Sequence, residues 1–193
     1  MKTSITIICE GASELAYIQE INRYMRENEI DYVFHARDAQ GGFFANIERK
    51  YSHEYQKNSK QWVEIWVDGD IYIRDEIDLQ ERYDNRIEHM PDFRFNYMNF
   101  EDFLIMHLED DKLKKWEALC RKQGHFITPM IADAYKPLLR EHIFRDYRKG
   151  FLPDQFAITQ DCLARLFQHN KDDKIPFRSD FADFLEDILV ASK

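Results

Sequence analysis

Residues 5–8 of the chain read Ile-Thr-Ile-Ile, an apolar and mostly β-branched run that suits a strand buried on both faces. The run stops at Cys9-Glu10-Gly11-Ala12-Ser13. Leu15, Ile18, Ile21, Tyr24 and Met25 then recur at helical spacing, with Ser13 as the expected cap and Glu14 in the first turn, where the dipole favours a carboxylate. Residues 32–36 read as a second strand, 38–42 as a turn, and 43–55 as a helix showing Phe43, Ile47, Tyr51 and Tyr55 on one face. A third strand covers 62–67. A charged helix follows over about 76–89, with Ile77, Tyr83 and Ile87 inward and Pro91 ending it. Residues 92–97 alternate Phe93 and Phe95 with polar positions, a fourth strand suited to a sheet edge.

From Phe100 the pattern turns helical. One long helix is expected, with a break near Asp110-Asp111 and a stop at Gly124. Another is expected over 137–148, with Pro137 in its first turn and Gly150 as its stop. Two more span 159–169 and 179–190, capped by Thr159 and Ser179. The β-α-β-α-β-α-β order with short connections predicts an α/β fold, a mostly parallel four-stranded sheet flanked by helices. Residues 1–125 form its core and 126–193 a helical extension packed on it, one compact domain overall.

Composition narrows the class. The chain has 193 residues, 44% of them hydrophobic and 15% aromatic, enough to bury a core. No apolar run approaches the roughly 20 residues of a membrane helix, no signal-peptide pattern opens the chain, and three widely spaced cysteines fit neither a disulfide framework nor a zinc set. The expectation is a cytoplasmic protein with no membrane partner. The net charge of −9 argues against a broad cationic face for nucleic acid, so any such binding must be local, metal-assisted or shared with a partner.

The candidate chemistry sits at two strand ends. Glu10-Gly11 follows the first strand and Asp68-Gly69-Asp70 follows the third. Open α/β sheets place ligands at this carboxyl edge, and clustered carboxylates there suit a hard cation such as Mg²⁺. Each acid alone is an ordinary strand-end or turn residue; their shared topological position gives them weight. Gly11 is read as a glycine needed for an uncrowded turn beside Glu10.

These motifs resemble the Toprim fold of topoisomerases, primases and related nucleases. Phe100-Glu101, with His107 six positions after the glutamate, is similar to the pattern of RloB-like proteins, small Toprim-type proteins linked to restriction and phage-defence loci. Where that family has Ser-Asn-Pro-Cys before the Phe-Glu, this chain has Asn96-Tyr97-Met98-Asn99. The resemblance covers roughly residues 5–110. It implies a Toprim-like, Rossmann-like core and a metal-dependent endonuclease, with Glu10 as general acid/base and Asp68 and Asp70 holding Mg²⁺ or Mn²⁺. Glu14 matches a further acidic position of the motif and joins the metal set.

Glu101 has two readings, completion of the metal shell in a catalytic role or a first-turn acid favoured by the helix dipole. His107, among Leu104, Ile105, Met106 and Leu108, reads rather as a hydrogen-bonded core histidine. Lys112, Lys115, Arg145 and Lys149 are the candidate substrate-binding cations, although such runs are commonly solvated helix faces. The leading expectation is Mg²⁺-dependent hydrolysis of DNA or RNA in bacterial phage defence or nucleic-acid processing. The alternatives are a non-catalytic Toprim-like module docking on an ATPase or restriction partner, and an enzyme that uses the same acids on a mononucleotide. A homo-oligomer is compatible with each.

Overall fold

The structure, a computed structural model, describes residues 2–41, 44–57, 62–74, 77–90 and 92–191. Phe43, Glu76 and Pro91, on which parts of the helix readings rest, lie outside the described residues, as does the side chain of Ile77.

Strand β1 (Thr3–Cys9) runs into helix α1 (Ala12–Glu27), followed by β2 (Tyr32–Asp38), α2 (Phe44–Lys57), β3 (Trp62–Asp68), the short α3 (Asp70–Arg74), α4 (Ile77–His89) and β4 (Phe93–Tyr97). Then come α5 (Phe100–Ile105), α6 (Asp110–Gln123), α7 (Ala132–His142), α8 (Gln160–Lys171), β5 (Arg178–Ser179) and α9 (Asp180–Val190). The sheet order is β2-β1-β3-β4-β5, with β1 parallel to β2 and β3, and β3 parallel to β4. The protein is therefore α/β with a mostly parallel sheet. The sheet has five strands rather than the expected four, because β5 pairs antiparallel with β4 and covers the edge that β4 was expected to form.

The two-residue period of the strands separates two cores. Ile5, Ile7 and Cys9 of β1 and Trp66 of β3 point into a large cluster with α1, α5, α6 and the later helices. Ile8, Val63, Ile65 and Val67 face the other way, onto Phe44, Ile47, Tyr83 and Phe93. The large cluster draws on both 1–125 and 126–193, with Trp66 stacked on Phe181 at 3.9 Å.

Several local expectations are corrected. Ser13 does not cap α1; Gly11 is the N-cap residue, and the Ser13 hydroxyl instead accepts the Gly150 N–H at 2.9 Å. The helix from Phe100 breaks over residues 106–109. There the Met106 carbonyl accepts from His169 Nδ1 at 2.8 Å and the His107 carbonyl from Arg165 Nε at 3.0 Å, so α8 side chains take up the carbonyls of this break. Pro137 lies inside α7 rather than in its first turn, and the helix ends at His142; residues 143–150 form turns that bury Phe144 and Tyr147. Thr159 and Ser179 do cap α8 and α9, accepting from the N–H of Cys162 and Ala182.

Candidate functional site

The carboxyl ends of β1 and β3 lie side by side, with Cys9 opposite Trp66 in the register, so the residues that follow share one edge. The Asp68 N–H donates to Glu10 Oε2 at 3.3 Å. Glu14 comes from the first turn of α1 and is 4% exposed. One carboxylate oxygen from each of Glu10, Glu14 and Asp68 lies within 4.8 Å of the others. They line a pocket of about 340 Å³ together with Asp38, Glu101, Tyr135 and Lys149.

Gly69 is where the backbone needs a glycine. Its N–H donates to the Asn96 carbonyl at 2.8 Å, and a Cβ here would lie 3.1 Å from that oxygen. Gly11 is different. Its φ of −164° is ordinary extended backbone, and a Cβ would meet only Glu14 Oε2 at 3.9 Å, so the steric reason expected for it does not hold.

Burial and mutual repulsion hold the acids toward their protonated forms. The Glu10 carboxyl is pushed up to about 7, first by desolvation and then by Asp70. Glu14 and Asp68 are raised for the same first reason, with Glu10 the next cause for both. Asp70 opens α3 and acts on both Glu10 and Asp68, although it lies outside the trio whose oxygens converge. Lys149 opposes these shifts, lowering Glu10, Glu14 and Glu101. It is carried to the pocket by the Ser13–Gly150 bond.

Glu101 reaches the same pocket from the first turn of α5, and Tyr147 holds it there. Tyr147 O–H donates to Glu101 Oε1, and the negative charge of the same carboxylate, after desolvation, raises the pKa of the neighbouring Tyr135. Desolvation raises its pKa while the Tyr147 bond lowers it.

Asp68 also has a partner beyond the expected set. Asn96 Nδ2 donates to Asp68 Oδ1 at 3.0 Å, and Asn96 Oδ1 accepts from Trp66 Nε1 at 3.0 Å and from Ser179 Oγ at 2.8 Å. Both of those donors fix the amide orientation, so its nitrogen faces Asp68. Sequence reasoning assigns no site role to Asn96 or Tyr135, and it points to Tyr147 only as an aromatic among basic residues suited to stacking a base, not as the partner of Glu101. The departure at Asn96-Tyr97-Met98-Asn99 drew attention to the right stretch without assigning Asn96 a task.

The four candidate cations separate. Lys149 lines the acidic pocket, Lys112 and Arg145 line a different cleft, and Lys115 is exposed on α6 and lines neither. His107 is a satisfied core residue. Nδ1–H donates to the Phe103 carbonyl at 3.0 Å, Nε2 takes the Tyr17 hydroxyl at 3.0 Å, and burial pushes its pKa down to about 3.

A second grouping, Asp102, Cys120 and His125, is wholly buried. Trp116 Nε1 donates to Asp102 Oδ1 at 2.7 Å, and Met130 N–H donates to His125 Nδ1 at 2.8 Å. That leaves the ring proton on Nε2, which donates to Asp102 Oδ2 at 2.7 Å. The network joins α5, α6 and the following turn with the histidine and aspartate polar atoms partnered. All three cysteines are free and buried, and among the described residues no helix is long and apolar enough to cross a membrane.

No family model, curated protein or solved structure matches this chain.

Proposed function

We propose that this protein is a divalent-cation-dependent phosphodiesterase of Toprim type that hydrolyses nucleic acid. The observation that supports this reading most is the convergence of Glu10, Glu14 and Asp68 at the carboxyl edge of adjacent parallel strands. An all-oxygen, carboxylate-rich donor set fits Mg²⁺ or Mn²⁺ and suits softer metals poorly. Asp68 and Glu14 would hold the ion, with Asp70 beside them. When bound, the cation supplies charge stabilisation to a phosphoryl group.

The chain's own groups have separate tasks. Glu10 lies at the pocket beside the proposed ligands, and a desolvated carboxyl in that place suits a general acid or base. Asn96 and the Asp68 backbone hold the Asp68 and Glu10 carboxylates in relative position. Lys149 offers a positive charge at the pocket for a substrate phosphate. Phage defence or nucleic-acid processing is the setting that the RloB-like resemblance implies.

The net charge of −9 favours a second reading, a non-catalytic module that docks on an ATPase or restriction partner. Incubation of labelled DNA and transfer RNA with the protein in Mg²⁺, Mn²⁺ or EDTA separates the two. Metal-dependent cleavage that Asp68→Asn abolishes supports the phosphodiesterase. A wild-type protein that binds the metal and cuts neither substrate supports the docking module.

A further inference from the structure

A cleft of about 560 Å³ lies apart from the acidic pocket and shares no lining residue with it. Three cations from three segments converge on it: Lys112 of α6, Arg145 of the turns after α7, and Arg165 of α8. In a chain of net charge −9 such a meeting calls for a reason. The side chains of Lys112 and Arg145 have no hydrogen-bond or ion-pair partner among the described residues. Arg165 is held in place, its Nε on the His107 carbonyl at 3.0 Å and one terminal nitrogen 2.9 Å from Glu109. Its side chain stays 28% exposed.

Against these charges the lining has one carboxylate, Asp146, which already accepts the Asp154 N–H. His107 in the floor is neutral and fully engaged with Tyr17 and Phe103. The remaining walls include Ile143, Phe144 and Phe156, apolar surface beside the cations. A pocket of this size with a cationic end and an apolar, partly aromatic wall matches an anionic group carried on a flat, weakly polar body.

We propose that this cleft binds a nucleotide, its phosphate against Lys112, Arg145 and Arg165 and its base along the Phe156 and Ile143 wall. The same chemistry is offered by a free nucleotide and by a nucleotide within a strand. The proposal does not depend on what the acidic pocket does.

The test uses the full chain in EDTA, so that the acidic pocket carries no divalent cation. Calorimetric titrations with AMP, adenosine and an oligothymidylate lacking a terminal phosphate read the site. AMP is expected to bind, with adenosine weaker by tenfold or more. Arg145→Ala and Lys112→Ala should each weaken AMP by about tenfold, the effect of losing one charged hydrogen bond. Both side chains are exposed, so the fold survives their truncation, and Arg145→Lys should retain most of the binding. Lys174→Ala is the control and should change nothing.

Competition between the oligothymidylate and AMP, with the same loss in the variants, identifies a strand as the source. Binding of AMP without such competition identifies a free nucleotide. The proposal is overturned if neither probe binds, or if binding ignores Arg145→Ala and Lys112→Ala. It is also overturned if Lys149→Ala abolishes AMP binding while Arg145→Ala does not, which would put the phosphate in the acidic pocket.

Discussion

The side-chain amide of Asn96 donates to Asp68 Oδ1 across 3.0 Å, from the strand beside the one that carries Asp68. Asn96 is 1% exposed and takes the Trp66 indole and the Ser179 hydroxyl on its oxygen. Truncating it leaves two buried donors and a buried carboxylate short of partners. Asn96→Ala should therefore cost about 2–3 kcal/mol, measured by urea unfolding at neutral pH. An unchanged midpoint would show that the bonds to Asn96 carry no weight.

Metal should act as a ligand of the folded state alone. With millimolar Mg²⁺ or Mn²⁺ the wild-type melting temperature should rise, since binding to the native state stabilises it. Asp68→Asn keeps an oxygen for the Asn96 amide and removes one charge from a crowded set. Its metal-free stability should equal or exceed the wild type, and the metal-induced rise should vanish. A strong loss of stability with the metal response intact would make Asp68 a structural residue.

The Glu10 carboxyl gives the metal-free protein a pH signature. Its folded pKa, about 7, lies above the ordinary 4.5, so the folded state binds the proton more tightly. The resulting stability is fully present below pH 4.5 and is lost as the pH rises toward 7, by an amount on the order of 3 kcal/mol. Glu10→Gln removes this titration. In EDTA, the difference in unfolding free energy between wild type and variant should change over that window, to the wild type's disadvantage at higher pH. A constant difference would mean that Glu10 is not desolvated.

The parts of this site that the sequence displayed are those carried by short-range pattern. Glu10, Asp68 and Asp70 follow apolar strands directly, and the strands' two-residue period shows which face is buried. Contacts between distant segments leave no such trace. Ser13 looks like a cap because capping is local, yet its hydroxyl is spent on Gly150, 137 positions away. The Tyr147–Glu101 bond spans 46 positions, and only the folding of the turns after α7 brings it about. The fifth strand was illegible for another reason: two residues of extended chain are too short to show a period.

Two glycines beside two acids should respond differently to alanine. Gly69→Ala pushes a Cβ to 3.1 Å from a backbone oxygen that is itself a hydrogen-bond partner, and should cost about 1–2 kcal/mol. Gly11→Ala brings its Cβ only to ordinary contact with Glu14 Oε2, and its smaller cost, about 0.5 kcal/mol, comes from the weaker N-cap. Chemical denaturation of the two variants checks the ordering, and equal costs would refute it.

Tyr147→Phe removes the hydroxyl bonded to Glu101 and little else. The loss should be about 1.5–3 kcal/mol where Glu101 is ionised, because that bond stabilises the charged carboxylate. It should shrink as the pH falls and the carboxyl takes up a proton. Unfolding of both proteins at pH 5 and pH 8 reads this. A cost that is the same at both values would leave Tyr147 as a packing residue only.

Part of the grip on Asn96 comes from Ser179, 83 positions further along the chain, through a strand of two residues. During translation the acids at the ends of β1 and β3 emerge from the ribosome long before that serine does. A nascent chain can thus carry Glu10, Glu14 and Asp68 with Asn96 already on the Trp66 indole while the Ser179 hydroxyl, the second donor that orients it, is still to come.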